Sequence, residues 1–169
     1  MIFMAVGTQF SFDRLVQYMD QWADQHASDN NVIAQIGDGD YIPQHMQFEP
    51  FMNGEQYNQH IQNARVFVSH AGMGNIISAK ELGTPIIVIN RQFKLGEHRN
   101  DHQADGLKWM GKLEGVYAAD SKESLFYHLK TILSMDFSAQ TVSQNEKDNP
   151  NSHLNISNYI ADFIQTGQR

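Results

Sequence analysis

The chain has 169 residues, of which 41% are hydrophobic and 18% charged, and its formal net charge is −7. This size and balance predict a globular domain with a single core, and the negative charge argues against general nucleic-acid binding. The chain has no cysteine, which excludes a disulfide framework and a thiolate metal site and fits a reducing compartment.

Predicted strands and helices alternate along the chain. Continuous Val- and Ile-rich runs predict buried strands at Ile2–Val6, Val32–Ile36, Val66–Val68, Ile86–Ile89 and Gly115–Ala118. Helices are predicted at Ser11–Ala23, with Ser11 as N-cap, and at Glu55–Gln62, Asn75–Leu82, Asn100–Met110 and Ser121–Leu133. This alternation predicts an α/β fold with a doubly wound parallel sheet of Rossmann-like type.

The composition changes after Met135. We therefore expect one domain over residues 1–136, a polar linker over 137–152 and an amphipathic helix over 153–166. The apolar face of that last segment predicts packing on its own domain, with docking to a partner as the alternative.

The N-terminal run Met1–Val6 lacks a basic region and reaches Gly7 after six residues. This pattern fits neither a signal peptide nor a membrane span. We therefore expect any link to a membrane to come through a partner.

The strongest functional signal lies where the third predicted strand ends. The strand runs into Ser69-His70, and the small-residue loop Ala71-Gly72-Met73-Gly74 then opens a helix. Unpaired backbone N–H groups and the helix dipole make such a helix start an anion site. The two common phosphate-loop patterns, GxGxxG and GxxxxGK followed by Ser or Thr, are both missing.

Three stretches together resemble the C-terminal, UDP-sugar-binding domain of family 28 glycosyltransferases. They are Ser69-His70-Ala71-Gly72-x-Gly74, Glu81-Leu82-Gly83-x-Pro85 and Asp101-His102-Gln103-Ala104. The resemblance implies the C-terminal half of a GT-B enzyme. Because a whole GT-B enzyme needs two domains, the chain most resembles the single-domain catalytic subunits of split enzymes, such as bacterial exopolysaccharide glucuronosyltransferases.

The resemblance also implies an activity and partners. The activity is inverting transfer of a sugar from a UDP-sugar substrate to a lipid-linked saccharide in polysaccharide synthesis. The implied partner is a membrane-anchored subunit that binds the acceptor, which would place this chain at the cytoplasmic face of the membrane. We name no catalytic base, since the acceptor face of a GT-B enzyme belongs largely to the other domain. No metal cofactor is expected.

The diphosphate of the donor is implied to lie between two loops. His70 is implied to donate to the departing β-phosphate, because a rigid donor there stabilises the charge that develops as UDP leaves. The implied contacts to the diphosphate are Gly7, Thr8, Gln9, Gly72, Met73, Gly74 and Asn75. Without the resemblance, Gly7-Thr8 also fits a simple strand-to-helix turn, and a lone His also fits a structural role.

The resemblance places the uridine near Phe51 and Met52, which otherwise fit the core. At the ribose, many relatives carry an acidic residue where this chain has Ser78. One hydroxyl cannot accept from both ribose hydroxyls as a carboxylate can. Ser78 therefore keeps open a second hypothesis, a non-catalytic UDP-sugar-binding module that regulates a synthesis complex.

The donor sugar is implied to lie against a second polar cluster. Its members are Glu97, His98, Asp101, His102 and Gln103. Arg91 and Lys94 precede this cluster and could pair with a carboxylate on the donor, which favours UDP-glucuronate.

Two metal-binding alternatives remain. His98 and His102 are spaced i, i+4 like metal ligands on one helix face, although Arg99 stands where a zinc protease has Glu. Asp38-Gly39-Asp40 resembles the DxD motif of GT-A glycosyltransferases, but its Gly-rich context favours a turn.

Overall fold

The structure is a computed structural model that describes residues 1–26, 31–92, 95, 97, 107 and 110–135. The described residues belong to one compact unit that spans Met1–Met135. The predicted linker, the C-terminal segment and most of the helix predicted at Asn100–Met110 lie outside the described residues, so these stay predictions.

A parallel sheet of six strands forms the centre of this unit, in the order β3-β2-β1-β4-β5-β6. The strands are β1 (Ile2–Ala5), β2 (Val32–Gln35), β3 (Gln47–Glu49), β4 (Val66–His70), β5 (Ile86–Ile89) and β6 (Val116–Ala119). The helices are α1 (Asp13–Gln25), α2 (Gly54–Asn63), α3 (Met73–Glu81) and α4 (Lys122–Ser134). The predicted doubly wound α/β fold is confirmed.

The sequence prediction missed β3. Its three residues are alternately exposed, half-buried and exposed, and β3 comes first in the sheet order. An edge strand that is half in solvent lacks the continuous apolar run by which the five buried strands were predicted.

The predicted N-cap of α1 is wrong. The helix begins at Asp13 with Phe12 in the cap position, and Phe12 makes no side-chain capping bond. Phe12 is fully buried, so burial of this ring fixes the helix start in place of a Ser11 hydroxyl. Asp13 in the first turn places a carboxylate at the positive end of the helix dipole.

The sheet separates two apolar cores. Alternate residues of β1 point to opposite sides, so Met4 belongs to the core beneath α1 and α4, whereas Phe3 and Ala5 belong to the core beneath α2 and α3. The four residues of β1 and the four of β5 are all fully buried. This burial on both faces explains why these strands are continuous apolar runs.

In the described part of the chain, no helix is both long enough and apolar enough to cross a bilayer.

Candidate functional site

A cleft of about 530 Å³ opens at the carboxyl ends of the central strands. It lies where the chain order of the sheet reverses between β1 and β4, the place where open α/β sheets bind ligands. The residues that line it are Gly7, Thr8, Gln9, Phe10, Gln35, Met52, Gly54, Tyr57, His70, Gly72, Asn75 and Arg91.

Two glycines enclose the ring of His70, the last residue of β4. A Cβ atom on Gly7 would lie 2.8 Å from His70 Cε1, and one on Gly72 would lie 2.5 Å from Nε2. Gly7 also has a φ of +85°, a conformation that glycine adopts without strain. Both loops therefore need glycine, because the backbone packs directly against the imidazole.

The start of α3 faces the same cleft. Its N-cap is Gly72, and among the residues described here no side chain caps this helix start. The N–H groups of Met73, Gly74 and Asn75 are in the first turn, where no earlier carbonyl of the helix can accept from them. Gly72 and Asn75 line the cleft, whereas the Met73 side chain packs in the core and Gly74 is exposed.

A chain of polar side chains runs behind His70. Ser69 is fully buried, and its hydroxyl donates to the carbonyl of Ala5 at 2.7 Å. The Asn75 amide lies 2.6 Å from Ser69 Oγ and 3.4 Å from His70 Nδ1. The hydroxyl of Tyr57 lies 3.0 Å from Asn75 Oδ1, and burial raises the pKa of Tyr57, which keeps this hydroxyl protonated.

Arg91 stabilises the loop that follows β1 by hydrogen bonds to its backbone. Its Nη2 donates to the carbonyls of Val6 and Phe10, and its side chain is largely buried. Desolvation lowers the pKa of Arg91, while the negative charge of Glu97 acts in the opposite direction. Arg91 thus brings a buried cation to the cleft wall while holding the shape of the glycine loop.

Glu97 is held by Arg14. Its two carboxylate oxygens accept from Nε and Nη2 of Arg14, both at 2.8 Å, and one of them also accepts the N–H of Gln92 at 2.7 Å. The Glu97 hydrogen bond raises the pKa of Arg14. Arg14 also donates to the carbonyl of Asn90 at 2.7 Å, so this pair ties α1 to the segment after β5. The predicted sugar contact of Glu97 stays a prediction.

The predicted uridine contacts are dispersed. Met52 lines the cleft, whereas Phe51 is 46% exposed and Ser78 is half-buried on α3. The N–H of Met52 donates to Oε1 of Gln35 at 2.9 Å, which fixes the backbone at that end of the cleft.

Sequence reasoning missed four residues of the cleft wall: Phe10, Gln35, Gly54 and Tyr57. Gln35 did carry a signal, since a buried glutamine that ends an apolar strand marks the carboxyl edge of the sheet. Tyr57 carried none, because its position depends on how α2 packs on the sheet. The remaining predicted sugar contacts, His98, Asp101, His102 and Gln103, lie outside the described residues, as does Lys94.

The Asp38-Gly39-Asp40 alternative gains no support, whereas His98 and His102 lie outside the described residues, so that alternative stays open. Across residues 1–26, 31–92 and 110–135, together with 95, 97 and 107, no three His, Asp or Glu side chains group as metal ligands. Asp38 lies in a turn, and the N–H of Asp40 donates to the Asp13 carboxylate at 3.1 Å.

Comparisons with known proteins agree on one family. The glycosyltransferase family 28 C-terminal domain matches residues 1–157. The UDP-N-acetylglucosamine transferase subunit ALG13 of Homo sapiens is 28% identical over 107 residues, and that of Mus musculus is 29% identical over 124 residues. These matches cover 58% and 59% of this chain but only 9% and 10% of the relatives.

Solved structures show the same fold. The glycosyltransferase of kitacinnamycin superposes with a TM-score of 0.55 at 18% identity, over 79% of this chain and 35% of that one. SnogD from Streptomyces nogalater gives 0.53 at 17% identity, over 79% and 34%. Both of these proteins are glycosyltransferases. The chain belongs to the glycosyltransferase family 28 C-terminal domain family.

Proposed function

We propose that this chain is the donor-binding catalytic subunit of a two-component, inverting glycosyltransferase whose substrate is a UDP-sugar. The observation that carries the proposal is the meeting of His70, the uncapped start of α3 and the Gly7 loop in one cleft. Membership of family 28 makes a nucleotide-sugar the expected ligand of such an anion site.

The diphosphate is proposed to bind at the start of α3. Departure of UDP builds negative charge on the β-phosphate, and preorganised donors aimed at that charge lower the barrier. The first-turn N–H groups of Met73, Gly74 and Asn75 add the positive end of the helix dipole. The buried cation of Arg91 supplies a further positive charge at the cleft wall.

The uridine is proposed to lie at the Met52 end of the cleft. Gln35 and Met52 bring an amide and an apolar side chain to that part of the wall, and the aromatic side chain of Tyr57 lines the same cleft, a mixture that suits a flat, polar base. Phe51 and Ser78 remain the proposed outer contacts of the uridine.

The donor sugar is proposed to be glucuronate, supported by the position of Arg91 at the cleft and by Lys94 in the sequence.

The acceptor is proposed to be a lipid-linked saccharide of polysaccharide synthesis, held by a membrane-anchored partner at the cytoplasmic face. The name of the ALG13 relatives, a transferase subunit, supports a two-component enzyme. Since no carboxylate is among the described residues of the cleft wall, we propose that the partner completes the acceptor side and provides the base. No metal is required in this scheme.

A transfer assay tests the proposal. The chain, co-expressed with a candidate partner in membranes, is supplied with radiolabelled UDP-glucuronate, UDP-glucose, UDP-galactose or UDP-N-acetylglucosamine in excess EDTA. We expect label in the lipid fraction with UDP-glucuronate, and background with His70→Ala. Transfer from a different UDP-sugar would change only the proposed identity of the donor sugar and leave the proposed activity in place. A chain that binds UDP but adds no turnover to its partner would favour the regulatory module.

A further inference from the structure

Two arginines connect the loops that follow β1 and β5. These strands are not neighbours, because β4 lies between them in the sheet order. All the strands are parallel, so both loops start at the same edge of the sheet as His70, the last residue of β4. Since the hydrogen bonds of a sheet join only neighbouring strands, side chains must fix one loop to the other.

Arg91 reaches from the loop after β5 to the loop after β1. A single nitrogen of its guanidinium, Nη2, donates to the carbonyls of Val6 and Phe10. These carbonyls flank residues 7–9, all of which line the cleft. Because Nη2 carries two hydrogens, one nitrogen fixes both ends of this loop.

Arg14 makes the opposite connection, from the first turn of α1 to the loop after β5. Its Nη2 donates to the carbonyl of Asn90, and its Nη2 and Nε donate to the two carboxylate oxygens of Glu97. Glu97 also accepts the N–H of Gln92 at 2.7 Å. The residues immediately before and after Arg91 are therefore both fixed by hydrogen bonds that involve this ion pair.

A shared ring and a shared carboxylate join the two arginines. The guanidinium carbons of Arg14 and Arg91 lie 5.1 and 5.4 Å from the ring centroid of Phe12, which is fully buried. Glu97 accepts from Arg14, and its negative charge opposes the desolvation that lowers the pKa of Arg91. The side chains of Arg14 and Glu97 are only 14% and 10% exposed, yet neither is among the described residues that line the cleft. Both therefore support the loops from outside the cleft wall.

We propose that Arg14, Glu97 and Arg91 form a reciprocal clamp, in which Arg14 and Glu97 are positioning residues for the Gly7 loop. The inference rests on the proposed function for its purpose, which is to hold this loop against the ring of His70 where the diphosphate binds. A Cβ atom on Gly7 would lie 2.8 Å from Cε1 of that ring, so a small displacement of the loop changes the site. The clamp gives Glu97 a role that needs no contact with the donor sugar.

UDP affinity separates this role from a sugar contact, because UDP lacks the donor sugar. Glu97→Gln keeps the shape of the side chain, removes its charge and turns one acceptor into a donor that faces other donors. We expect calorimetry to show UDP binding weakened about 3- to 10-fold, the cost of one hydrogen bond. Asp20→Asn makes the same change at a buried carboxylate away from the cleft and is expected to bind UDP as the wild type does. Wild-type affinity in Glu97→Gln would overturn the inference.

Arg14→Met tests the other half of the ion pair. It keeps an unbranched side chain and removes the hydrogen bonds, and we expect the same 3- to 10-fold loss of UDP affinity. Combined with Glu97→Gln, it should cause little further loss, because the two residues act as one pair. Arg65→Met is the matched control, since Nη2 of Arg65 also donates to two carbonyls, at the end of α4, and it should leave UDP affinity unchanged. Losses that simply add in the double variant would overturn the clamp.

The two proposals fail separately, because Gly7 reports the position of the loop without any ligand. Its backbone packs against the imidazole of His70, so the ring current of the imidazole acts on its ¹H–¹⁵N signal. In spectra of the ligand-free full chain, we expect this signal to move in Glu97→Gln and to stay in place in Asp20→Asn. An unmoved signal in Glu97→Gln would overturn the inference. A wild-type chain that does not bind UDP, together with a moved Gly7 signal in Glu97→Gln, would remove the proposed function and support the clamp.

Discussion

The helices of this protein begin in two different ways. The starts of α2 and α4 are capped by the protein itself: Asn53 pairs with Gln56, and Ser121 pairs with Ser124, each in a reciprocal capping box. The starts of α1 and α3 receive no side-chain cap within the described ranges: α1 has the buried Phe12 in the cap position, and α3 has Gly72, which lines the cleft. A helix start that the chain does not satisfy, and that opens into a cleft, is available to a ligand.

A second site shows how the protein satisfies backbone N–H groups with a side-chain anion of its own. Asp20 is 2% exposed, and its carboxylate accepts the N–H groups of Gln44 and His45 and the hydroxyl of Tyr41. Here a side-chain anion joins α1 to the loop before β3. The backbone N–H groups at the start of α3 are comparable donors in the cleft. No Asp or Glu is among the described residues that line it. The comparison separates donors used for folding from donors kept for binding.

The largest effect is expected where the cleft is most crowded. Gly72→Ala places a methyl group 2.5 Å from His70 Nε2, so the ring must leave its position between the two loops. We expect UDP affinity to fall about 100-fold, equivalent to about 2.7 kcal/mol, because both the imidazole and the helix start are disturbed. Calorimetric titration with UDP measures this loss.

Gly74→Ala is the matched control for that substitution. It lies two residues further along, and a Cβ atom there would have nothing within 4 Å. We expect unchanged UDP affinity, since Ala keeps the backbone N–H that is proposed to face the diphosphate, and a small rise in the unfolding temperature, since Ala favours a helix more than Gly does. Equal UDP affinity in Gly72→Ala and Gly74→Ala would show that His70 does not need its position.

The next largest effect is expected at Asp20, the carboxylate that joins α1 to the loop before β3. Asp20→Asn is expected to lower the free energy of unfolding at neutral pH by about 2 kcal/mol, since charge-assisted bonds become neutral ones or are lost. Burial alone would raise the pKa of Asp20, but the N–H groups of His45 and Gln44 and the Tyr41 hydroxyl outweigh it and lower the pKa. Denaturant unfolding measures the loss.

The lowered pKa also predicts how this loss depends on pH. Asp20 contributes its stabilisation above the ordinary carboxyl pKa, and the contribution disappears as pH falls through the lower folded value. The difference between wild type and Asp20→Asn should therefore shrink on acidification. Asp24→Asn, on the same helix but 63% exposed, should show little difference at any pH. A pH-independent difference for Asp20→Asn would contradict the assignment.

The smallest of these effects concerns a capped helix. Ser121→Ala removes the side-chain acceptor of the Ser124 N–H and should cost about 1 kcal/mol of unfolding free energy. UDP affinity should not change, because α4 starts away from the cleft residues. Ser134→Ala, which removes a hydroxyl at the other end of α4, provides the control and should cost less. Altered UDP binding in Ser121→Ala would contradict the conclusion that the capped start of α4 serves folding and not ligand binding.

Much of this architecture could be predicted from the sequence. Buried parallel strands are continuous apolar runs, so β1, β2, β4, β5 and β6 were all found within a few residues of their observed bounds. β3 could not be found in this way, because its side chains are half in solvent. The start of α1 was misplaced because a buried ring took the position expected for a serine.

The candidate site was predictable only in part. His70 ends β4, and Gly7 and Gly72 come two residues after the ends of β1 and β4, so the parallel order places all three at one edge of the sheet and in one cleft. The part played by Tyr57 and the ion pair of Arg14 with Glu97 depend on side chains that lie 18 and 83 residues from their partners. Tertiary packing brings such pairs together, and no local sequence pattern predicts them.

The central claim is that the uncapped start of α3, with His70, binds the diphosphate of a nucleotide. The most direct measurement compares UDP with uridine by calorimetric titration of the full chain in excess EDTA. The account predicts UDP binding that survives chelation and exceeds uridine binding by about 100-fold or more, as expected for charge-assisted hydrogen bonds to phosphate. Equal affinity for UDP and uridine would contradict it, because the diphosphate would then gain nothing from His70 and the helix start.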